Sequence, residues 1–551
     1  MLYIVCVRSY EVSIIEIPVS PLLNTFNFLK RKSTMKKKYL PIYAGFSAFL
    51  LALTGLIPTT ALANKAAIYF DEVVIKAPYT LTQNIIAADL LPFEGKELLT
   101  FSVDQESARW LIIYRLDKLT NTYQVAEKKL IPQQFYRFDV SRRNDKNRNN
   151  NQESIYFLSA TELVRYDNKS FVQLIEVSSL YIKEQVDYLS RGNFIQDLNN
   201  DAFDDVVITD FNKTQVFIGQ KNNQFVTQHL PINPEISVQS NGATYTEKSL
   251  YFNDANLDDK TDIILIGEGE MIIHEQGDNT VFDPQATNLP VNEAVTGTNW
   301  WEKRDESGEP LDQSNLEYRK LEKLRDVNAD GIMDMVVRYT KASGVLDRVN
   351  DYEVFLGKTV DGQLTFSRQA NSVIRADGTL TDLEFIDIDN DSKLEVLVAG
   401  FEIGVSQIIG ALVSGAIDQD VYVFKMTPQD QYPEDPTIKK DVELTFSLSS
   451  GQRGSAVVKL ADLNGDGLKE LILSNDNDEL RIYLGQKTGK TSKRQRAFAK
   501  RSIGYDTQLP KDGNIVMVED LNGDGKDDLL FKFSKLDGEN KGKTFKILFS
   551  K

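Results

Sequence analysis

Carboxylate and amide side chains recur in this chain at alternate positions of short loops, each time just ahead of an apolar run. In the stretch DLNGDGKDDLLF, Asp520, Asn522, Asp524 and Asp528 hold positions 1, 3, 5 and 9, Gly525 holds position 6, and Lys526 at position 7 offers its main-chain carbonyl. Hard oxygen donors alternating around a sharp turn suit a hard cation, and six or seven such oxygens, water included, suit Ca²⁺. The pattern returns in Asp462, Asn464, Asp466, Leu468 and Glu470, and again in Asp326, Asn328, Asp330, Ile332 and Asp334. Looser copies consist of Asp387, Asp389, Asp391, Lys393 and Glu395, of Asp254, Asn256, Asp258, Lys260 and Asp262, and of Asp197, Asn199, Asp201, Phe203 and Asp205. In every set the fourth residue lends only its carbonyl. Six copies make up to six Ca²⁺ sites the expectation. Position 6 is Ala202, Asp259 or Ser392 in the looser copies. A left-handed turn strains Ala and Ser, so weaker sites are expected at Asp197 and Asp387.

The residue at position 12 separates this loop from the helix–loop–helix calcium module, which needs a bidentate Glu there. Here position 12 is Ile208, Leu265, Val337, Val398, Leu473 or Phe531, always within an apolar strand pattern. Metal-free Asp/Asn turns are the alternative for one copy alone. Six copies with four oxygen side chains each would repel without a cation.

The elements that position the loops form a repeat. Two degenerate copies precede the six. One starts at Asp89 and keeps Glu97 at position 9, but has Leu91 and Phe93 at the intervening ligand positions. The other starts at Asp139 and replaces the loop with a polar run. The starts fall at 89, 139, 197, 254, 326, 387, 462 and 520. After the loop and its strand comes a second short strand of the form apolar, aromatic, apolar, Gly, then a polar hairpin ending in Phe: QVFIGQKNNQF, EVFLGKTVDGQLTF and RIYLGQKTGKTSKRQRAF. Spacings of about 50 to 75 residues suit four-stranded propeller blades. The last unit offers three strands, ending with TFKILFS. The strand AAIYFDEVVI, residues 66–75, is free to supply its fourth and close the ring. The expectation is an all-β chain forming a single β-propeller of about eight blades, or seven if one degenerate unit is not a full blade.

The 551 residues carry a net charge of −17, which disfavours nucleic acid as a partner. Residues 35–63 read as a signal peptide, with Lys36, Lys37 and Lys38 before an apolar stretch and Ala61-Leu62-Ala63 at its end. Residues 1–34 read as an upstream extension from a start codon placed too early, and 64–551 as the propeller. Export to the periplasm, cell surface or medium follows, with no transmembrane span in the mature chain. The single cysteine, Cys6, precedes that cleavage site, so no disulfides hold the mature chain. The two histidines, His229 and His274, have no catalytic motif around them, and no catalytic residues are assigned. Three stretches break the rhythm: 296–315, with the adjacent Trp300 and Trp301; the apolar 401–417; and the basic 487–501. Trp300 and Trp301 either stack on a ligand such as a sugar or pack as a small core under their insertion.

The loops resemble the FG-GAP/VCBS repeats of integrin-α-like β-propellers, in which a DxDGDGxxDL loop joins the first and second strands of a blade. The resemblance covers about residues 66–551. It implies Ca²⁺ loops on one face, in a family that includes adhesion receptors, lectins and secreted bacterial proteins. Some eight-bladed calcium-loop propellers, the rhamnogalacturonan lyases, cleave polysaccharides. The resulting expectation is an exported calcium-binding propeller acting as a non-catalytic adhesion module for a glycan or a cell-surface or envelope protein. The alternatives are a secreted polysaccharide lyase or hydrolase, and a scaffold subunit of a cell-envelope complex.

Overall fold

The computed structural model describes residues 2–8, 11–17, 68–141, 152–181, 188–239, 242–291, 294–305, 309–344, 347–376, 378–401, 416–447, 452–476, 478–487 and 497–551. The chain divides into Met1–Ala63 and Asn64–Lys551. In the first unit Leu2–Arg8 pairs antiparallel with Glu11–Ile17. The proposed signal peptide lies outside the described residues, as do 402–415 of the apolar insertion and 488–496 of the basic one.

The second unit is a ring of eight antiparallel sheets, so the seven-bladed alternative is set aside. Blade 1 is built on Glu97–Val103, Arg109–Asp117 and Thr122–Leu130, with Thr80–Leu81 and Ile86–Ala88 sharing its inner edge. Both degenerate units are full blades. In blade 2, Arg137–Val140, Ile155–Leu158, Glu162–Asp167 and Ser170–Glu176 follow in order. Blades 3 to 7 carry the loops that start at Asp197, Asp254, Asp326, Asp387 and Asp462, each between the first and second strands. Blade 8 mixes the two ends of the unit: Phe70–Lys76 pairs along its whole length with Thr544–Ser550, which continues to Asp528–Lys532 and Met517–Glu519. The strand expected at 66–75 thus closes the ring, over Phe70–Lys76.

Why the second strands read as unbroken apolar runs is clear from their surroundings. Each sheet is covered on both faces by neighbouring blades. In Asp205–Thr209, Val206 and Ile208 pack toward blade 2, and Val207 packs toward blade 4. Eight apolar clusters alternate with the eight blades, including one that joins Leu116 and Tyr123 of blade 1 to Leu530 and Phe545 of blade 8. Burying each such side chain stabilises the ring by about 1.5–3 kcal/mol.

The apolar-aromatic-apolar-Gly signal marks the third strand, but its closing Phe has two different fates. In blade 3, Phe225 lies in the outer strand Gln224–Leu230. In blade 5, Phe366 ends a separate hairpin, Gly357–Val360 with Gln363–Phe366, and the outer strand is Ser372–Ile374. In blade 7, Phe498 makes only a bridge to Gly485, and Ile503–Asp506 is the outer strand. Longer linkers there leave room for the extra hairpin.

The glycine of that signal has a steric cause. A Cβ at Gly357 would lie 2.3 Å from the carbonyl oxygen of Met333, and one at Gly219 would lie 2.4 Å from that of Asp204. The third strand therefore ends directly against position 8 of the loop. Gly357→Ala is expected to lower stability by about 2–3 kcal/mol through this clash. Gly525→Ala, where space is open but φ is +85°, should cost about 1 kcal/mol from conformation alone. Denaturant midpoints of the two variants measure the difference.

Candidate metal centre

All the loops join first to second strands, so they gather at one face of the ring, and hydrogen bonds link several neighbours there. The position 8 N–H of Leu394 donates to the carbonyl of Val327, position 2 of the preceding loop, at 2.9 Å. Lys469 N–H donates likewise to Ile388 at 2.9 Å, and Asp527 N–H to Asp462 at 2.8 Å. The chain of contacts crosses the closure, where Lys96 N–H of blade 1 donates to Leu521 of blade 8 at 2.9 Å. Between blades 3 and 4 the side-chain amide of Gln276 does this work, reaching the carbonyls of Leu198 at 2.8 Å and Thr261 at 2.9 Å.

Within each loop the donor set divides into two parts. Position 9 is fully buried: Asp205, Asp262, Asp334, Glu395, Glu470 and Asp528 are all 0 % exposed. One of its oxygens accepts from the N–H of position 2, as in Leu198 to Asp205 at 2.7 Å and Val327 to Asp334 at 2.8 Å. The other accepts from the N–H that ends the third strand: Gly219 to Asp205 at 2.7 Å, Gly357 to Asp334 at 2.9 Å, Gln276 to Asp262 at 2.8 Å and Ser550 to Asp528 at 2.9 Å. The carboxylate therefore staples the start of the loop to the third strand. The degenerate copy keeps the loop half of this duty, because Glu97 still accepts from Leu90 at 2.9 Å and Leu91 at 3.0 Å. This role of position 9 was not read from the sequence. Its signal was the survival of Glu97 where the donors at positions 3 and 5 are gone.

Positions 1, 3 and 5 form the open part. In the loop at Asp520, the Asp520 carboxylate accepts from the N–H groups of Gly523, Asp524 and Gly525 at 2.8, 3.2 and 2.9 Å. Asn522 Oδ1 accepts from Asp524 N–H at 2.9 Å, and Asp524 Oδ1 from Lys526 N–H at 3.0 Å. The turn needs two left-handed residues. Position 6 was expected; position 4 joins it in all six copies, at Asn200, Leu257, Ala329, Asn390, Gly465 and Gly523. Gly at both positions occurs only at 462 and 520, which are the least strained copies.

The residues present fit a hard divalent cation: each loop offers at least three carboxylates and no nitrogen or sulfur ligand. Burial pushes Asp205, Asp334, Glu470 and Asp528 up to about 7, against the opposing pull of their backbone hydrogen bonds. The neighbouring carboxylates at positions 1 and 5 push in the same upward direction. A carboxyl group strained in this way gains from a cation.

The loop at Asp387 differs. Its position 3 is Asp389, and on the third strand, one residue past the partner of position 10, where other blades have Ile218, Leu356 or Leu484, blade 6 has Lys425. The backbone N–H of Lys425 donates to Thr437 Oγ1 at 3.0 Å. Its ammonium turns into the loop, bonded to Asp389 Oδ2, 3.4 Å from Glu395 Oε1 and 3.7 Å from Asp391 Oδ2. Carboxylate oxygens of Asp387, Asp389 and Glu395 lie within 4.8 Å of one another.

Other candidate residues lie away from the loops. Trp300 is 5 % exposed and packs with Leu316 and Ala342 beneath the 296–315 insertion. Trp301 meets it edge-on at 5.5 Å, and the Arg338 guanidinium lies 5.2 Å from the Trp301 ring. Trp300 thus offers no open face for stacking. His274 is buried, with Nδ1 2.8 Å from the carbonyl of Asp283, and His229 lies in the outer strand of blade 3. Among the described residues no helix is long and apolar enough to cross a membrane.

No sequence among curated proteins matches the chain. Solved structures with a similar path include BBS1N in complex with ARL6DN, at 9 % identity and TM-score 0.34, covering 87 % of this chain and 96 % of that one. A lectin of Agrocybe aegerita specific for non-reducing terminal N-acetylglucosamine aligns at 10 % identity and TM-score 0.32, over 79 % and 82 % of the two chains. The WD40 domain of SCAP from fission yeast aligns at 10 % and 0.28, over 79 % and 98 %. Likenesses this distant bring no function with them. The FG-GAP-like repeat is matched at residues 462–531, the two loops with glycine at both left-handed positions. With that match lying in blades 7 and 8 of a closed eight-bladed ring, the chain is an eight-bladed β-propeller that carries an FG-GAP-like repeat.

Proposed function

We propose that this propeller is an exported binding module whose loop face is fastened by Ca²⁺ and presented, without catalysis, to a glycan or a cell-surface or envelope protein. The observation that carries the reading is the ring of oxygen-donor loops, hydrogen-bonded to one another and stapled by position 9. Ca²⁺ would be held by positions 1, 3 and 5, by the carbonyl of position 7 and by an oxygen of position 9, and would neutralise charge that the loops otherwise concentrate. A cysteine-free ring would gain a loop face stiff enough to hold a partner surface.

The first test is thermal. The melting temperature should fall markedly in EDTA and return in millimolar Ca²⁺, since a ligand of the native state adds stability by mass action. An unchanged melt, with no Ca²⁺ found by elemental analysis, would refute the calcium part. A glycan array run beside a turnover assay on anionic polysaccharides tests the rest. Retention of a defined glycan without cleavage supports the binding module, and unsaturated uronate products would replace it with a lyase.

A further inference from the structure

We infer that the loop at Asp387 carries its own cation: the Lys425 ammonium occupies the place that a metal takes among positions 3, 5 and 9, so this copy binds no Ca²⁺ until the lysine is removed. The inference rests on the calcium reading of the other five loops only for its comparison.

Two departures from the repeat occur together here. Position 3 is Asn in the other five copies, so their side chains at 1, 3, 5 and 9 contribute three carboxylates; Asp389 raises the number to four in this one. On the third strand, one residue past the partner of position 10, the others have Ile218, Glu275, Leu356, Leu484 or Phe549, and blade 6 has Lys425. The N–H of Lys425 donates to Thr437 Oγ1, as that of its equivalent Leu356 donates to Asn371 in blade 5, while its side chain sets Nζ 3.4 Å from Glu395 Oε1. The side chain of Lys425 is only 9 % exposed, and that of Glu395 is 1 % exposed. A buried ammonium is stable only when paired, and the extra carboxylate at position 3 supplies the partner. Each substitution alone would leave a buried charge uncompensated; together they return the loop to the net charge of its siblings. A divalent ion entering among Asp389, Asp391 and Glu395 would meet an ammonium already there, at distances where like charges repel strongly. Asp389 Oδ1 is buried and makes no hydrogen bond, so the loop is not otherwise satisfied once the lysine leaves.

The test counts bound Ca²⁺ by equilibrium dialysis of the full chain, comparing the native protein with Lys425→Met and with Lys425→Met/Asp389→Asn. The double variant recreates the donor set of the loop at Asp462 and leaves no unpaired charge, so it is read if the single variant fails to fold. One additional Ca²⁺ per chain in either variant is the expected result, with Lys425→Arg unchanged from the native protein. An equal count in native and variant proteins would overturn the inference. The calcium reading is scored separately on the native protein: five ions with no gain on substitution keeps that reading and refutes this one. None in the native protein but one in the variant does the reverse, and none in either refutes both.

Discussion

Asp528→Ala should destabilise the protein by about 3–5 kcal/mol even with EDTA present, more than any change at positions 1, 3 or 5. Asp528 is fully buried, accepting from Leu521 N–H at 3.1 Å and from Ser550 N–H at 2.9 Å. Truncation strands both donors away from water, at roughly 1–3 kcal/mol each, and leaves a void in a packed interface. The location magnifies the consequence. Ser550 belongs to the strand paired with Phe70–Lys76, and Leu521 carries the carbonyl that receives Lys96 N–H across the ring closure. Asp520→Ala is the control, because its three N–H partners lie at an exposed turn and can turn to water. In EDTA it should cost about 1 kcal/mol, while abolishing the Ca²⁺ effect at that loop as completely as Asp528→Ala does. Denaturant midpoints with and without Ca²⁺ separate the two roles. Equal losses for the two variants in EDTA would rule out the staple.

Much of this architecture was legible because the repeat writes itself in residues with narrow tolerances. Apolar position 12 excluded a helix after the loop, and the orphan strand before Lys76 had one place to go once only three strands were counted in the last unit. The two glycines of DLNGDG were legible as turn residues only at position 6, because the calcium-loop pattern names that one; the need at position 4 shows in the backbone, where Leu257 and Ala329 adopt the same left-handed turn without advertising it. Position 9 was read as a ligand alone, since a carboxylate's second partner sits about twenty residues away at a strand end that no local pattern announces. Lys425 was invisible for the same reason: its meaning depends on its alignment with Ile218, Leu356 and Leu484, and only the ladder of the sheet sets that alignment. The hairpin Phe was over-read, because one consensus covers an outer strand in blade 3 and an inserted hairpin in blade 5. Trp300 shows the limit of aromatic signals, since adjacent tryptophans in an insertion fit a small core as well as a platform.

The gap between the melting temperature in Ca²⁺ and in EDTA should widen by several degrees as pH rises from about 5 to about 8, and the metal-free melt itself should fall over the same range. The sign follows from the buried carboxyl groups. Burial raises Asp205, Asp334 and Asp528 from 3.8 to about 7, and Glu470 from 4.5 to about 7. Between those limits the folded, metal-free chain binds protons that the unfolded chain has released, so unfolding sheds protons and stability falls as pH rises. The stabilising contribution is complete below the unfolded values and is lost as pH passes through about 7. Calcium reverses the demand at the same oxygens. It needs them ionised, competes with the proton below neutrality, and relieves above neutrality the repulsion that ionisation creates with positions 1 and 5. Blade 1 provides an internal reference, because Glu97 is likewise pushed up to about 7 while its loop has Leu91 and Phe93 in place of the oxygen side chains at positions 3 and 5. Glu97→Gln should therefore flatten part of the metal-free pH slope and leave the calcium gap untouched, whereas Asp334→Asn should reduce both. A calcium gap independent of pH would mean that the position 9 carboxylates are not among the groups the metal engages.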